Sequence, residues 1–60
     1  MYSNRDIKKG EKILAEDIIY KGPAYGIYAK FEDIVLGQHA TCDIKFDTPI
    51  TWDLISNKKD

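Results

Sequence analysis

The feature that most constrains the fold of this chain is an internal repeat. Residues 6–18 read DIKKGEKILAEDI and residues 43–55 read DIKFDTPITWDLI, so the second copy follows the first at an offset of 37 (43 − 6). The identical positions are Asp6/Asp43, Ile7/Ile44, Lys8/Lys45, Ile13/Ile50 and Ile18/Ile55. Two copies are too few for a solenoid, which needs about three or more repeats to bury a core. The repeat therefore predicts one domain built from two related halves packed face to face.

Length and composition limit how such a domain can be stabilised. A chain of 60 residues forms one small domain, and a domain of that size buries only about 60% of the surface exposed by its unfolded chain. A single cysteine, Cys42, excludes an internal disulfide, and a single histidine, His39, leaves too few ligands for a structural zinc site. We expect no metal ion and no other cofactor in this domain. A compact hydrophobic core, helped by a partner surface, must hold the fold.

The charge pattern argues against some classes of binding partner. The formal net charge is −1, with acidic and basic residues interspersed. Nothing resembles the basic face that nucleic-acid binding requires, and attachment to anionic membranes is disfavoured for the same reason. The first ten residues, MYSNRDIKKG, contain no apolar run, so we expect neither a signal peptide nor a membrane span. A lone thiol without an export signal predicts a cytoplasmic protein.

Both copies follow the same local pattern. Asp-Ile-Lys leads into a turn, at which Gly10 in the first copy and Asp47 in the second can adopt a positive φ. A short acidic stretch follows, AEDI or TWDLI, which is typical of one helical turn whose Asp and Thr side chains cap free N–H groups. We predict a mainly β domain of short strands, with a few helical turns and pseudo-two-fold symmetry.

The segment between the copies contains a further helical signal. Residues 29–36 (AKFEDIVL) place Phe31, Ile34 and Val35 at the i, i+3, i+4 spacing of one helix face. Gly37 follows at the position where a glycine commonly ends a helix. This pattern predicts one or two helical turns with those three apolar residues on the same side.

No residues assemble into a catalytic site. His39 and Cys42 lie three residues apart in a segment that we expect to be extended, so they face opposite sides. We expect a buried cysteine and a surface histidine. The adjacent carboxylates at 16–17 and 32–33 point in different directions on any regular element. Stabilisation of the start of a helix by negative charge therefore explains them better than acid–base catalysis does. Trp52 is expected to be a core or interface anchor.

Residues 20–27, YKGPAYGI, are the remaining candidate site. Two glycines and a proline turn the backbone, while two tyrosines and a lysine project from it. Aromatic rings and a lysine on a stiff loop suit a sugar, because rings stack on its apolar faces and donors meet its hydroxyl or carboxylate groups. The alternative is a connector whose tyrosines pack on the core, and composition alone favours that alternative.

Taken together, DIKKGEKILAEDI, GPAYGI and VLGQHATCDIKFDTPITWDLI resemble the SAF or antifreeze-like domain. The P-x-x-G loop with T-W-D-L-I is most similar to the C-terminal domain of sialic acid (N-acetylneuraminate) synthases and their pseudaminic and legionaminic relatives. The resemblance extends from about residue 2 to residue 55. It implies a β-clip fold of short strands, and a single SAF domain over residues 1–60 that is a fragment or C-terminal module of a larger enzyme.

The resemblance also implies a function. In the synthases this domain follows a TIM barrel that condenses phosphoenolpyruvate with an N-acetylated sugar at a divalent metal, manganese or magnesium. The domain crosses a dimer and lies over the mouth of the partner barrel, where an arginine of its loop contacts the sugar. For this chain the resemblance implies a non-catalytic substrate-capping domain of such a transferase. The substrate-binding residues that it implies are Lys21, Gly22, Pro23 and Tyr25, with Trp52 at an interface.

The chain departs from the family pattern in the loop itself. Gly22 stands where an arginine usually precedes the proline, Ala24 stands where a glycine usually follows it, and Asp47 replaces the second turn glycine. Lys21 is the nearest cation, but lysine lacks the planar fork of arginine. The main alternative is therefore a protein-docking or oligomerisation module that has lost the sugar contact. A third is the SAF domain of a sugar-acid dehydratase or of a pilus or flagellar assembly protein.

Overall fold

The fold is built from strands of only two residues each, in a computed structural model that describes residues 1–57. The strands are β1 (Tyr2–Ser3), β2 (Ile18–Ile19), β3 (His39–Ala40) and β4 (Ile55–Ser56). β1 pairs antiparallel with β2, and β3 pairs antiparallel with β4. The helical turns are α1 (Glu32–Val35) and the 3-10 turns Ala15–Asp17, Ala29–Phe31 and Trp52–Leu54. No helix in residues 1–57 is long and apolar enough to cross a membrane.

The two copies adopt the same backbone at the offset of 37, as the repeat predicts. β1 and β3 are equivalent, as are β2 and β4, and the 3-10 turn at Ala15–Asp17 corresponds to the one at Trp52–Leu54. Ile7 and Ile44 are themselves equivalent, and each donates its N–H to the other's carbonyl oxygen at 2.7 Å. A reciprocal pair of this kind lies on the pseudo-two-fold axis. The predicted mainly β domain with internal symmetry is confirmed.

The turn after Asp-Ile-Lys has the predicted left-handed residue in both copies. Gly10 has φ 87° and Asp47 has φ 66°. The N–H of Gly10 donates to the carbonyl oxygen of Ala40 at 2.8 Å, and the N–H of Asp47 donates to that of Ser3 at 2.8 Å. Asp therefore replaces glycine here without loss of this backbone hydrogen bond, although a left-handed conformation is less favourable for a residue with a Cβ atom.

The aspartate that begins each copy holds the turn of the other copy. Oδ1 of Asp6 accepts the N–H of Phe46 at 2.7 Å, and Oδ1 of Asp43 accepts the N–H of Lys9 at 2.9 Å. Such bonds are stronger than neutral ones because the acceptor is charged. The identity of the aspartates in the repeat thus has a structural cause: each joins the two halves.

The hydrophobic core lies between the two copies and the segment that connects them. The equivalent residues Ile13 and Ile50 are both fully buried, and Val35 of α1 is buried against them. The buried members of this main core are Met1, Ile13, Ile18, Ile27, Val35, Ile50 and Ile55. A smaller cluster of Ile7, Ala40 and Ile44, with Leu54 packed against it, lies at the pseudo-two-fold axis.

The connecting segment is helical, as predicted, but its buried face differs from the prediction. Val35 is fully buried and Phe31 packs at the margin of the core, whereas Ile34 is 55% exposed. α1 has a single turn, so the i, i+3 face is not maintained, and Leu36, which follows α1 with extended geometry, packs on the core instead. Gly37 has φ 93°, as expected for the residue that ends the helix.

Candidate ligand-binding loop

The loop of residues 20–27 is fixed to the body of the domain at several points, including the amino group of Met1, which lies 3.3 Å from the carbonyl oxygen of Tyr25. The N–H of Ile27 donates to the carbonyl oxygen of Ile50 at 2.7 Å. The hydroxyl of Tyr2, a buried residue of β1, donates to the carbonyl oxygen of Pro23. The loop is therefore held by the first strand and by the central isoleucine of the second copy, on opposite sides of its turn.

The two glycines of the loop have different roles. Gly26 has φ 76°, and a Cβ atom at this position would overlap the carbonyl oxygen of Ile50. Glycine is therefore required where the loop passes over the second copy. A Cβ atom at Gly22 would have no neighbouring atom within 4 Å. Position 22 can consequently carry a side chain that projects into open space.

Lys21 lies at the base of the loop and makes two contacts with the body of the domain. Its Nζ forms an ion pair with Oδ1 of Asp47, the left-handed residue of the second turn. The same Nζ lies 4.9 Å from the ring centroid of Tyr2, within the range of a cation–π interaction. The predicted cation of the loop is thus neutralised by the second copy.

The loop tyrosines lie on the surface. Tyr25 is 62% exposed and Tyr28, just after the loop, is 57% exposed. The Tyr20 hydroxyl donates to Oε1 of Glu32 at 2.9 Å. Partial burial, together with this hydrogen bond, raises the pKa of Tyr20 to about 12. The alternative in which these tyrosines pack on the core is wrong, because their side chains are exposed.

Trp52 belongs to an exposed aromatic pair. Its ring meets that of Phe31 edge to face, with centroids 5.7 Å apart, and Trp52 is 49% exposed. Lys30 lies beside the same pair, with its Nζ 5.1 Å from the Phe31 centroid. Trp52 is therefore not a core residue, and its assignment to an interface stays a prediction.

The structure reverses the expected positions of His39 and Cys42. Cys42 is exposed, and it occupies the position equivalent to Arg5, which also faces solvent. His39 is in β3 and partly buried, and its buried Nδ1 has no hydrogen-bond partner in residues 1–57. Both predictions were wrong because the extended segment that they assumed bends after Ala40. Among the described residues, no three His, Cys, Asp or Glu side chains are grouped so that they could hold a metal ion.

A cluster of ionic groups stabilises the first copy. Nε of Arg5 donates to Oδ1 of Asp17 at 2.7 Å, and its Nη2 lies 3.2 Å from Oε2 of Glu11. Asp17 is almost fully buried, and its Oδ2 also accepts the N–H of Leu14 at 2.9 Å. Burial opposes ionisation, but the hydrogen bonds from Arg5 and Leu14 outweigh it and hold the pKa of Asp17 below its usual value. Sequence reasoning identified Asp17 only as a helix-start charge.

A shallow pocket of about 210 Å³ opens beside the pseudo-two-fold axis. It is lined by the Asp-Ile-Lys residues of both copies together with Arg5 and Glu11, and by no residue of the loop. Its three cationic and three carboxylate side chains balance in charge. The pocket therefore offers no strong preference for an anion or a cation.

Sequence reasoning missed two residues that support the loop, Tyr2 and Asp47. Nothing in the sequence distinguishes Tyr2, because its role depends on a hydrogen bond to Pro23, 21 positions away. The sequence did distinguish Asp47, because it stands where the first copy has Gly10. Aspartate is less suited than glycine to the left-handed conformation of this position, so its presence suggests a side-chain contact.

Comparison with protein families identifies the domain. A model of the SAF domain matches residues 2–56. The chain belongs to the SAF domain family. The resemblance drawn from the repeat and the loop is therefore confirmed, and the short antiparallel strands and few helical turns are those of a small β-type SAF domain. No solved structure gives a significant match.

Similar proteins include two pseudaminic acid synthases of Campylobacter jejuni subsp. jejuni. The protein of serotype O:2 is 41% identical over 46 residues, which cover 77% of this chain and 13% of that protein. The protein of serotype O:23/36 is 39% identical over 46 residues, with the same coverage. An uncharacterized protein of Methanocaldococcus jannaschii is 37% identical over 51 residues, or 85% of this SAF domain and 15% of that protein. The chain thus spans only a small part of the length of these relatives.

Proposed function

We propose that this SAF domain is the non-catalytic substrate-capping domain of a sialic-acid-synthase-like enzyme. The observation that carries the proposal is the 41% identity to a protein named pseudaminic acid synthase. In this proposal the partner is a TIM-barrel domain of the same chain or of the other chain of a dimer. The barrel condenses phosphoenolpyruvate with an N-acetylated sugar and holds any divalent metal, and loop 20–27 covers its active site.

The exposed groups of the loop support this role. Tyr25 is 62% exposed, so its ring is available to pack on the apolar face of a sugar. The peptide groups of Gly22 and Ala24 make no hydrogen bond within residues 1–57. They are available to hydroxyl and N-acetyl groups. A fixed loop loses little conformational entropy when it meets a ligand, which favours binding by a preorganised surface.

Tyr25→Ala in a synthase that carries this domain tests the proposal. We expect KM for an N-acetylated hexosamine to rise about tenfold, which corresponds to about 1.4 kcal/mol of lost contact. We expect KM for phosphoenolpyruvate to stay within about twofold, because the loop would meet only the sugar. Steady-state kinetics with each substrate varied in turn gives both values.

Tyr28→Ala is the matched control, because Tyr28 is also an exposed tyrosine but lies outside the loop. We expect its KM for the hexosamine to stay within about twofold of the parent value. Equal effects of the two substitutions, or no effect of Tyr25→Ala, would contradict the assignment of the sugar contact to loop 20–27.

The half-exposed Trp52 favours a second candidate function, docking on protein in place of the capping role. An aromatic side chain that pairs with Phe31 and leaves 49% of its surface exposed has the character of an interface anchor. In this second candidate function the domain docks on protein and the loop does not bind sugar. Amide chemical shifts recorded on addition of the barrel dimer without sugar separate the two. Changes centred on Trp52 that do not respond to sugar support docking alone.

A further inference from the structure

Asp47 occupies a backbone position for which a side chain is a disadvantage. Its φ is 66°, whereas the equivalent residue of the first copy is Gly10 with φ 87°. The N–H groups of Gly10 and Asp47 donate to the equivalent carbonyl oxygens of Ala40 and Ser3, so this backbone bond does not require a carboxylate. Some contact of the Asp47 side chain must account for an aspartate here rather than a second glycine.

That contact is with the loop. The Asp47 carboxylate forms an ion pair with Lys21, and the Lys21 ammonium lies 4.9 Å from the ring centroid of Tyr2. The hydroxyl of the same Tyr2 donates to the carbonyl oxygen of Pro23. The residues before and after Gly22 are therefore both fixed to the body of the domain, one through Asp47 and the other through Tyr2.

These anchors determine what the loop presents to a ligand. Lys21 is the only charged residue in 20–27, and its charge is neutralised by Asp47. The groups that face outward are the unbonded peptide groups of Gly22 and Ala24 and the exposed ring of Tyr25. Such an edge has hydrogen-bond donors and acceptors and an aromatic face, but no net charge.

We propose that Lys21 is a positioning residue, which fixes the loop through Asp47, and that the part of the ligand met by the loop is uncharged. The ligand groups that fit are hydroxyl and amide groups. The identity of the ligand as a sugar rests on the proposed function, whereas the anchoring role of Lys21 does not. A direct contact between Lys21 and the ligand gives the opposite dependence on Asp47, because loss of Asp47 would then release the ammonium for binding.

The anchoring role is tested on the 60-residue chain with Lys21→Met, Asp47→Asn and the double variant. Asparagine tolerates a positive φ, so Asp47→Asn removes the charge and retains the turn. Amide hydrogen exchange at Tyr25 and Ile27, whose N–H groups donate to the carbonyl oxygens of Pro23 and Ile50, measures how firmly the loop is held. We expect both single variants to accelerate exchange at these amides by about the same factor, three- to tenfold, and the double variant to add little.

Two further variants control this experiment. Lys12→Met removes an exposed lysine that makes no ion pair in residues 1–57, and we expect it to leave exchange in the loop unchanged. Lys21→Arg keeps a positive charge opposite Asp47 and leaves the turn untouched, and we expect it to retain most of the protection. If Lys21→Met accelerates exchange while Asp47→Asn does not, or if the two effects add fully, the anchoring role is wrong.

The same variants in the synthase separate the inference from the proposed function. We expect Lys21→Met and Asp47→Asn to raise KM for an N-acetylated hexosamine by similar factors, about three- to tenfold, with kcat retained. A fall in KM on Asp47→Asn would overturn the inference, because it would mean that free Lys21 binds the ligand. Faster exchange in the loop with KM unchanged would support the anchor and contradict the placing of the loop at the active site.

A second substrate tests the proposal that the part of the ligand met by the loop is uncharged. Because Lys21 does not meet the ligand, Lys21→Met should raise KM by the same factor for a neutral N-acetylated hexosamine and for its phosphorylated form. A clearly larger increase for the phosphorylated sugar would show that Lys21 contacts the negative charge, and this would overturn the inference.

Discussion

The first half of the domain, residues 2–19, places Ser3 and Asp17 at positions where the second half, residues 39–56, places Ala40 and Leu54. Ser3 is fully buried, and its hydroxyl donates to the carbonyl oxygen of Lys45 at 2.5 Å and accepts the N–H of Thr48 at 2.9 Å. Asp17 is bound by Arg5, as described above. Ala40 and Leu54 instead belong to the small apolar cluster at the axis. One backbone is thus stabilised by buried polar groups in one half and by apolar packing in the other.

The difference also extends to the surface. Asp47 and Trp52 of the second copy correspond to Gly10 and Ala15 of the first. In the first half Asp17 binds Arg5 of the same half, whereas Ser3 bonds to Lys45 and Thr48 of the second half. The second copy uses its distinctive side chains to hold the loop and to form an exposed aromatic pair. Repeat symmetry therefore sets the backbone, while the substitutions that break the symmetry assign a separate task to each half.

The largest effect is expected where the two copies are the same. Ile13 and Ile50 are both fully buried in the main core. Replacement of either by alanine should lower the free energy of unfolding by about 2–5 kcal/mol, through lost apolar burial and an internal cavity. We expect the two values to agree within about 1 kcal/mol in urea denaturation, since the sites are equivalent.

A domain of this size has little stability in reserve, so the milder replacements Ile13→Val and Ile50→Val provide a second pair. Each should cost about 0.5–1.5 kcal/mol. If one copy tolerated its substitution and the other did not, the core would not be symmetric in energy, although it is symmetric in geometry.

A smaller loss in the free energy of unfolding is expected at the equivalent positions where one half has a polar residue and the other has an apolar one. Asp17→Asn removes a charged hydrogen-bond acceptor from Arg5 and should cost about 1–3 kcal/mol at pH 7. Leu54→Ala, at the equivalent position, removes a partly buried apolar side chain and should cost about 1–2 kcal/mol. Urea denaturation at pH 7 measures both.

The losses of unfolding free energy caused by Asp17→Asn and by Leu54→Ala should respond differently to pH. Because the pKa of Asp17 is lower in the folded state than its ordinary value of 3.8, its ionised form stabilises the fold fully above the unfolded pKa. That stabilisation is lost as the pH falls through 3.8 towards the lowered folded pKa. The difference between the parent and Asp17→Asn should shrink below about pH 4, while the difference for Leu54→Ala stays constant. An undiminished deficit of Asp17→Asn at pH 3 would show that ionisation of Asp17 does not stabilise the first copy.

The two turns should differ from each other, and the smallest effect of all is expected at the second turn. Gly10→Asp gives the first copy the residue of the second and should cost about 1–2 kcal/mol, because φ is 87° there. Asp47→Gly relieves the same backbone cost but loses the exposed ion pair to Lys21, so we expect a net change within about 0.5 kcal/mol. Thermal unfolding of the two variants side by side compares the turns. A large loss on Asp47→Gly would mean that the ion pair stabilises the whole domain, not only the loop.

The repeat predicted more of this molecule than its local periodicity did. The offset of 37 correctly related the turns, the helical turns and the buried isoleucines of the two halves. The predictions for Ile34 and Cys42 were wrong, because each assumed that a regular element continues longer than it does. In a domain whose strands contain two residues, a periodicity that needs six or more residues to be recognised is a weak guide to burial.

The sequence by itself determined the family, the symmetry and the location of the candidate loop, because these depend on matching residues along the chain. Only the tertiary structure decided which residues the loop contacts. Lys21 and Asp47 are 26 positions apart, and Tyr2 and Pro23 are 21 apart. No local pattern connects such residues. They meet because the two copies pack face to face and the loop between them must cross the turn of the second.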